Sequence, residues 1–206
     1  MTRYGMLIDA GTCAGCNACT MACKYQNATP SGMYWCKVLM GEYGTYPNSG
    51  QVVLPSACMH CQDAPCVSCC PTGASHYDEN GCVQIDYEKC IGCRMCINAC
   101  PYNARSYHDE KQEDHPYYEG YEMTPYEQMR ASEHPVGVVE KCVMCHGRTA
   151  EGKEPSCVQT CITKSRWFGD LDDPNSEINA KIKELGAKPL NEELGTKPSV
   201  YYAGLV

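Results

Sequence analysis

The sequence predicts an α+β fold built from two duplicated cysteine-bearing units, with inserted loops and a C-terminal helix and tail. Three observations carry that expectation. Sixteen of the nineteen cysteines in the 206-residue chain fall into four groups of four. Between the middle groups, short apolar runs are separated by turn signals, as short strands are. After the last group comes one stretch whose apolar residues recur at helical spacing.

The groups differ only in their internal spacing. Cys13-x2-Cys16-x2-Cys19-x3-Cys23 and Cys90-x2-Cys93-x2-Cys96-x3-Cys100-Pro101 are spaced like the ligand runs of bacterial-type ferredoxins. Cys58-x2-Cys61-x4-Cys66-x3-Cys70-Pro71 is the same run with two extra residues in its middle, and Cys142-x2-Cys145-x11-Cys157-x3-Cys161 opens much wider. A cubane offers its iron corners close together, so its ligands must converge from a tightly curled loop. Small residues such as Ala14, Gly15, Ala18 and Gly92 let backbone amides approach. The expected cofactors are therefore four [4Fe–4S] clusters, held in two bacterial ferredoxin-like units of two clusters each.

In two-cluster ferredoxins the fourth cysteine of a run ligates the other cluster. Applied to the outer pair of groups, that rule gives cluster 1 on Cys13, Cys16, Cys19 and Cys161, and cluster 4 on Cys23, Cys142, Cys145 and Cys157. Applied to the central pair, it gives cluster 2 on Cys58, Cys61, Cys66 and Cys100, and cluster 3 on Cys70, Cys90, Cys93 and Cys96. Cys36, Cys69 and Cys82 are left over. Free cysteine packs as a small apolar side chain, and Cys69, beside Cys70, is placed to substitute for it as a ligand.

Two other readings compete. A disulfide scaffold suits short secreted chains, but the odd cysteine count and the crowding at Cys69-Cys70 fit it poorly. Structural zinc suits the fourth group taken alone, since zinc accepts four thiolates from two separated knuckles, with His60 and His146 as conceivable ligands. The other three groups are too crowded to wrap one small ion.

The elements follow in chain order. Gly5-Met-Leu-Ile-Asp9 reads as a first strand. Residues 24–50 are an insertion. The central unit, 50–104, runs strand (Val52-Val53-Leu54), ligand loop, turn at Asp78–Gly81, strand (Cys82–Asp86), ligand loop; Asn80-Gly81 is a hairpin signal. Residues 105–140, rich in Tyr, His, Glu and Pro, show no period and read as an extended loop. The outer unit thus comprises 1–49 and 105–170. In 171–206, Asp173-Pro174 reads as a helix start, Ile178, Ile182 and Leu185 as one face, and Gly186 as the stop. The tail, with Val200-Tyr201-Tyr202, is placed to add a strand or to lie across a partner.

Composition narrows the function. A formal charge of −8 leaves no basic footprint for nucleic acid. No apolar run is long enough for a direct membrane span, and the N-terminus is not a signal peptide. Thiolates and clusters need reducing conditions at assembly, which places it in the cytoplasm. Folding is expected to be coupled to cluster insertion. Lys24, Lys89, Arg94, Arg105, Lys141, Arg148, Lys164 and Arg166 gather at the cluster loops, either as solvated surface or as charges that raise a neighbouring cluster's potential. No phosphate loop, nucleophile elbow or catalytic acid pair is present, so no catalytic residue is assigned. A non-catalytic electron relay accounts for what the chain does contain.

The chain resembles the four-cluster iron–sulfur (beta) subunits of molybdopterin oxidoreductases of the dimethyl sulfoxide reductase superfamily. The resemblance rests on Gly5-Met-Leu-Ile-Asp9, all four cysteine groups, Cys66-Val-x-x-Cys70-Pro-Thr-Gly-Ala74, Cys90-Ile-Gly-Cys93, Ala99-Cys-Pro-Tyr102 and Phe168-Gly-Asp-Leu-Asp-Asp-Pro174. Ser31-Gly-Met-Tyr-Trp35 and Gly44-Thr-Tyr-Pro47 resemble the arsenate or polysulfide reductase type. It implies a large catalytic partner with a molybdenum or tungsten pterin centre, and a membrane quinone-reactive subunit or soluble carrier at the other end. It also implies either a cytoplasmic complex or one exported with a signal-bearing partner to the outer face of the cytoplasmic membrane. Ile162 departs from the family's proline after Cys161, Cys69 is extra, and no C-terminal transmembrane helix of the formate dehydrogenase kind is seen. A relay for a hydrogenase or other non-molybdenum enzyme is the alternative, and a zinc-stabilised scaffold or redox sensor the remote one.

Overall fold

Short strands and one-turn helices, rather than long elements, position the thiols in the computed structural model, which describes residues 2–205. In chain order the elements are β1 (Tyr4–Asp9), α1 (Ala18–Asn27), β2 (Lys37–Thr45), β3 (Asn48–Ser56), α2 (Pro65–Ser68), β4 (Ser75–Tyr77), β5 (Val83–Ile85), α3 (Met95–Asn98) and β6 (Arg105–Tyr107). There follow α4 (Pro125–Arg130), β7 (Val139–Lys141), α5 (His146–Ala150), α6 (Ser156–Gln159), β8 (Arg166–Asp170), α7 (Glu177–Leu185), β9 (Lys188–Pro189) and β10 (Val200–Ala203). The mixture of helix and strand is that of an α+β protein. Among the described residues no helix is long and apolar enough to cross a membrane.

The largest sheet runs β8-β1-β10-β9. The first strand, β1, lies at its centre, antiparallel to β8 and parallel to β10, with Met6 opposite Val200 and Ile8 opposite Tyr202. The tail therefore adds a strand to its own fold. Side chains alternate across a strand, and β1 uses both faces. Met6 and Ile8 join the thiol-lined core with Met59, Val200 and Tyr202. Leu7 turns the other way, against Leu171 and Ile178. The helix predicted after Asp173-Pro174 starts three residues later, with Ser176 at its N-cap. Asp173 instead closes a turn, its Oδ1 accepting the Asn175 N–H at 2.9 Å, as Asp side chains readily do. Ile178, Ile182 and Leu185 form the buried stripe, and Gly186 ends the helix at φ 59°.

The expected strand at Val52–Leu54 is the middle of the nine-residue β3, which pairs with β2 from Lys37↔Ser56 to Thr45↔Asn48. The partner strand lay hidden in what reads as an insertion. Most of β2 is exposed, so its sequence has no buried face to generate an alternating pattern. The Asn80-Gly81 signal does mark a hairpin, β4–β5, through a five-residue loop. There Gly81 has φ 69° and Asp78 Oδ1 accepts the N–H groups of Asn80 and Cys82, each at 2.9 Å.

Residues 105–140 are not simply an extended loop. Strands β6 and β7 pair at the two ends of the segment, Arg105 opposite Lys141. Between them, α4 opens on a capping box, in which Thr124 Oγ1 accepts the Glu127 N–H and Glu127 Oε2 accepts the Thr124 N–H. That Thr-Pro-x-Glu start is a sequence signal; three-residue strands leave none.

Candidate metal centres

Three of the Cys-x3-Cys segments fold the same way. Cys66, Cys96 and Cys157 each sit in a single helical turn, and Cys70, Cys100 and Cys161 close it by donating their N–H to Val67, Ile97 and Val158 carbonyls at 3.1–3.2 Å. Three residues on, Gly73, Asn103 and Lys164 take positive φ and donate back to the carbonyl of that last cysteine at 3.3 Å. A strand then begins, at Ser75, Arg105 or Arg166. Ile162 stands where the other two turns have proline, yet the turn is unchanged. The left-handed residue, not the ring, redirects the chain. The first group departs from the pattern: α1 continues past Cys23 to Asn27, so both Cys19 and Cys23 lie within one ten-residue helix.

The loops holding the other thiols are equally curled. Gly15 and Asn17, Gly92 and Arg94, and Met144 and Cys145 all have φ between 51° and 66°. Left-handed residues alternating with ordinary ones, as at Gly15 and Asn17 and at Gly92 and Arg94, curl the loop so that backbone N–H groups can share one concavity, which suits an anion. At Gly92 a Cβ would also run into the Gly137 carbonyl, so the tight curl there excludes any other residue.

All nineteen thiols are unpaired in this structure. Cys70, Cys90, Cys93 and Cys96 line one cavity of about 330 Å³, part of it open to solvent. Cys23, Cys142, Cys145 and Cys157 line another of about 490 Å³, joined there by Cys36 and Cys58. In each cavity three of the four predicted ligands come from one stretch and the fourth from a distant one. For Cys61, burial pushes the thiol up to about 12, and Cys58, Cys66 and Cys100 lie close enough to add to that push. The set of Cys13, Cys16, Cys19 and Cys161 is linked through the sheet. Asp9 donates its N–H to the Ser165 carbonyl at 2.8 Å, and the Ser165 hydroxyl lies 3.3 Å from Cys161 Sγ.

Of the eight basic residues near the loops, Lys89, Arg94 and Lys164 are exposed, and Lys24 and Arg148 are half-buried. Arg105, Lys141 and Arg166 are buried, at 4%, 1% and 5% exposure. Among the described residues none of these three has a carboxylate within 4 Å. A buried cation is costly unless an anion accompanies it. The nearby groups that can supply negative charge are sulfurs. Arg105 Nη2 is 3.0 Å from Cys66 Sγ, with Nη1 on Ser75 Oγ at 2.8 Å. Arg166 Nη2 is 3.5 Å from Cys19 Sγ and 3.7 Å from Cys36 Sγ. Lys141 Nζ donates to the Val83 and Cys142 carbonyls. Burial opposes the Arg166 charge, yet Cys36, Cys157 and Cys19 hold its guanidinium above the ordinary range.

The three surplus cysteines behave differently. Cys36 is buried beside Cys19, to which its S–H bond is the largest cause of the Cys19 thiol falling to about 5; Arg166 and Thr20 add to it. Nothing in the sequence marks that role. Cys82 packs as a buried side chain, and burial raises its thiol to about 12. Cys69 caps α2 and does not line the cavity that holds Cys70. Of the two candidate histidines, His60 is buried and held neutral by burial and by Lys141 and Arg105, while His146 is exposed.

Curled loops, cavities walled by four or more thiols and buried cations without carboxylates are what an anionic, thiolate-held cluster requires. Among the described residues no three His, Cys, Asp or Glu side chains converge tightly enough for a single ion, whereas zinc needs sulfurs at about 2.3 Å. The residues fit a bulky iron–sulfur cubane.

Comparison with known proteins agrees with this chemistry. The family described as "4Fe-4S dicluster domain" matches over residues 50–116 and again over 107–171, and a "4Fe-4S binding domain" family matches 10–26. The chain is 41% identical to a putative dimethyl sulfoxide reductase iron–sulfur subunit of Halobacterium salinarum, covering 98% of this chain and 79% of that protein. It is 41% identical to a subunit of the selenate reductase of Mesobacillus selenatarsenatis, covering 97% and 71%. It is 37% identical to the arsenate respiratory reductase iron–sulfur subunit ArrB of a Shewanella species, covering 97% and 95%. With tandem dicluster domains and relatives of this identity along nearly its whole length, the chain belongs to the iron–sulfur electron-transfer subunits of the dimethyl sulfoxide reductase superfamily.

Proposed function

We propose that this subunit carries electrons along a row of four [4Fe–4S] clusters, to or from a catalytic subunit holding a molybdenum or tungsten pterin centre. Cys13, Cys16, Cys19 and Cys161 hold cluster 1; Cys58, Cys61, Cys66 and Cys100 hold cluster 2; Cys70, Cys90, Cys93 and Cys96 hold cluster 3; Cys23, Cys142, Cys145 and Cys157 hold cluster 4. The cubanes supply one-electron redox chemistry at potentials that the protein sets through charge, burial and hydrogen bonds to sulfur. The chain supplies such bonds: Ser75 N–H reaches Cys70 Sγ at 3.5 Å, Met144 N–H reaches Cys142 Sγ at 3.4 Å, and Asn27 Nδ2 reaches Cys23 Sγ at 3.5 Å.

The sets follow one another as cluster 1, 4, 2, 3. Arg166 bonds Cys19 and lines the cavity of the Cys142 set. Cys58 lines that same cavity, and Arg105 bonds Cys66 while lining the cavity of the Cys90 set. One observation carries the relay reading above the rest: Cys16 and Cys93 are the two exposed thiols, and they belong to the two ends of this row. A row wrapped in its middle and open at both ends suits a conductor between two partners. We take the pterin subunit to dock at one end and a quinone-reactive membrane subunit or a soluble carrier at the other. The repeated turn at Cys70, Cys100 and Cys161 supports two ferredoxin-like units related by duplication, assembled in the reducing cytoplasm whichever side the complex serves.

Elemental analysis of the intact complex purified without oxygen tests this. About sixteen irons per chain, as four cubanes demand, together with about one molybdenum or tungsten, are expected. Zinc in place of iron would overturn the cluster reading, and iron without molybdenum or tungsten would overturn the pterin partner.

A further inference from the structure

We propose that Arg166, Lys141 and Arg105 are positioning residues that place one buried cation at each of the three junctions of the row, each raising the reduction potential of the two clusters it separates. The inference rests on the four-cluster reading above and adds a role for particular side chains.

The two arginines each join a ligand sulfur of one cluster to the cavity of the next, and Lys141 sits between the runs of the middle two. Arg166 touches Cys19 of cluster 1 and walls the cavity of cluster 4. Lys141 directly precedes Cys142 of cluster 4 and bonds its carbonyl at 2.7 Å, and it stands opposite Arg105, which touches Cys66 of cluster 2. Arg105 touches Cys66 of cluster 2 and walls the cavity of cluster 3.

The cost of this arrangement argues that it is used. Arg105 and Lys141 stand directly opposite each other across the β6–β7 ladder, and like charges in that position repel. Both are nearly solvent-free and neither has a carboxylate partner among the described residues. The buried acid of β7, Glu140, is the immediate neighbour of Lys141, yet it pairs with His134 at 2.9 Å instead. Two unpaired cations facing each other in a protein interior need anions between and around them, and thiolate-held clusters are the anions the row provides. Position repeats as well as charge: Arg105 and Arg166 each lie five residues after the last cysteine of a ligand turn, at the first residue of the following strand.

The physical consequence concerns neighbouring clusters. Each electron added to a row of like-charged groups raises the cost of adding one next door, and low-dielectric surroundings strengthen that repulsion. A fixed cation between two clusters counters it for both at once. A cation bound to only one cluster, or a lysine merely satisfying carbonyls, would not act on two.

The test is an anaerobic potentiometric titration of the intact complex, followed by electron paramagnetic resonance, with signals assigned through ligand variants such as Cys93→Ser. The unmodified complex is read first: fewer than four clusters would overturn the four-cluster reading and this inference with it. With four present, Arg105→Gln is expected to shift two signals to lower potential, those of clusters 2 and 3, and to leave the other two in place. Arg166→Gln is expected to move the complementary pair, and Lys141→Gln the middle pair, clusters 4 and 2. A shift confined to one signal, an equal shift of all four, or none overturns the inference alone. Arg105→Lys, which keeps the charge, should hold both potentials near their original values. If Arg105→Gln loses iron, that variant decides: iron and potentials retained support the charge role, and iron lost again refutes it.

Discussion

The crossed ligation can be tested by counting irons in double variants, because two lesions in one cluster cost no more than one. Cys100 lies in the same sequence run as Cys90, Cys93 and Cys96, yet its thiol neighbours Cys61 and Cys66, while Cys70 lines the cavity of the Cys90 run. Replacing Cys100 by Ala should therefore remove the cluster held by Cys58, Cys61 and Cys66. With about four irons per cubane, the complex should fall from about sixteen irons to about twelve. Adding Cys66→Ala should leave the count near twelve, since both thiols serve one cluster. Adding Cys96→Ala instead should take it to about eight. If the fourth thiol stayed with its own run, the two outcomes would change places. The assay is iron and acid-labile sulfide per chain in the anaerobically purified complex, with the surviving signals read by electron paramagnetic resonance. A count near eight for Cys66→Ala with Cys100→Ala, alongside about twelve for Cys96→Ala with Cys100→Ala, would refute the crossing. Double variants separate the cases because coupling is non-additive only within a shared site.

Other expectations follow from single contacts. Cys36→Ala should keep the full iron count but shift one cluster to lower potential, since an S–H bond to Cys19 Sγ is lost; loss of about four irons would instead make Cys36 a ligand. Burial raises the Cys23 and Cys61 thiols to about 12 and Cys157 to about 11 against an ordinary 9, so at neutral pH each must surrender a proton to bind iron. Anaerobic reconstitution followed by visible absorbance should therefore keep improving as pH rises past 9, where free thiols would level off, and a flat response above 9 would contradict it. Ile178→Ala, in the pocket formed with Leu7 and Leu171, should cost roughly 3 kcal/mol, visible as a lower melting temperature with the iron count intact. Thr124→Ala removes the cap of α4 and should cost about 1 kcal/mol, read by the same melt, with no effect on the cluster potentials.

Much of the chemistry was legible because the cysteine motifs that mark a 4Fe-4S domain are local. A curled loop is set by neighbouring residues, so the spacings at Cys13–Cys19 and Cys90–Cys96 and the glycines Gly15 and Gly92 can be read along the chain. Gly186, Asn80-Gly81 and the β1 run were equally local, and each appears where its pattern placed it. The β2 strand was not, because an exposed hairpin imposes no alternation, and neither were β6 and β7, which are too short to have a period. The start of α7 slipped because an aspartate that can cap a helix can also close a turn, and here it does the latter.

Amino-acid order alone determined the family, the kind of cofactor and the supply of sixteen thiols, since those depend on residue type and short spacing. Only the tertiary structure decided that Cys36 and Cys58 join the cavity of the Cys142 group, that Cys36 lies beside Cys19 against Arg166, and that three of eight nearby cations are buried. Pairing across a sheet joins residues far apart in the chain: β1 with β8 brings Arg166 to the first cysteine group, and β6 with β7 sets Arg105 against Lys141. Burial is a property of what packs over a residue, and no spacing along one chain records it.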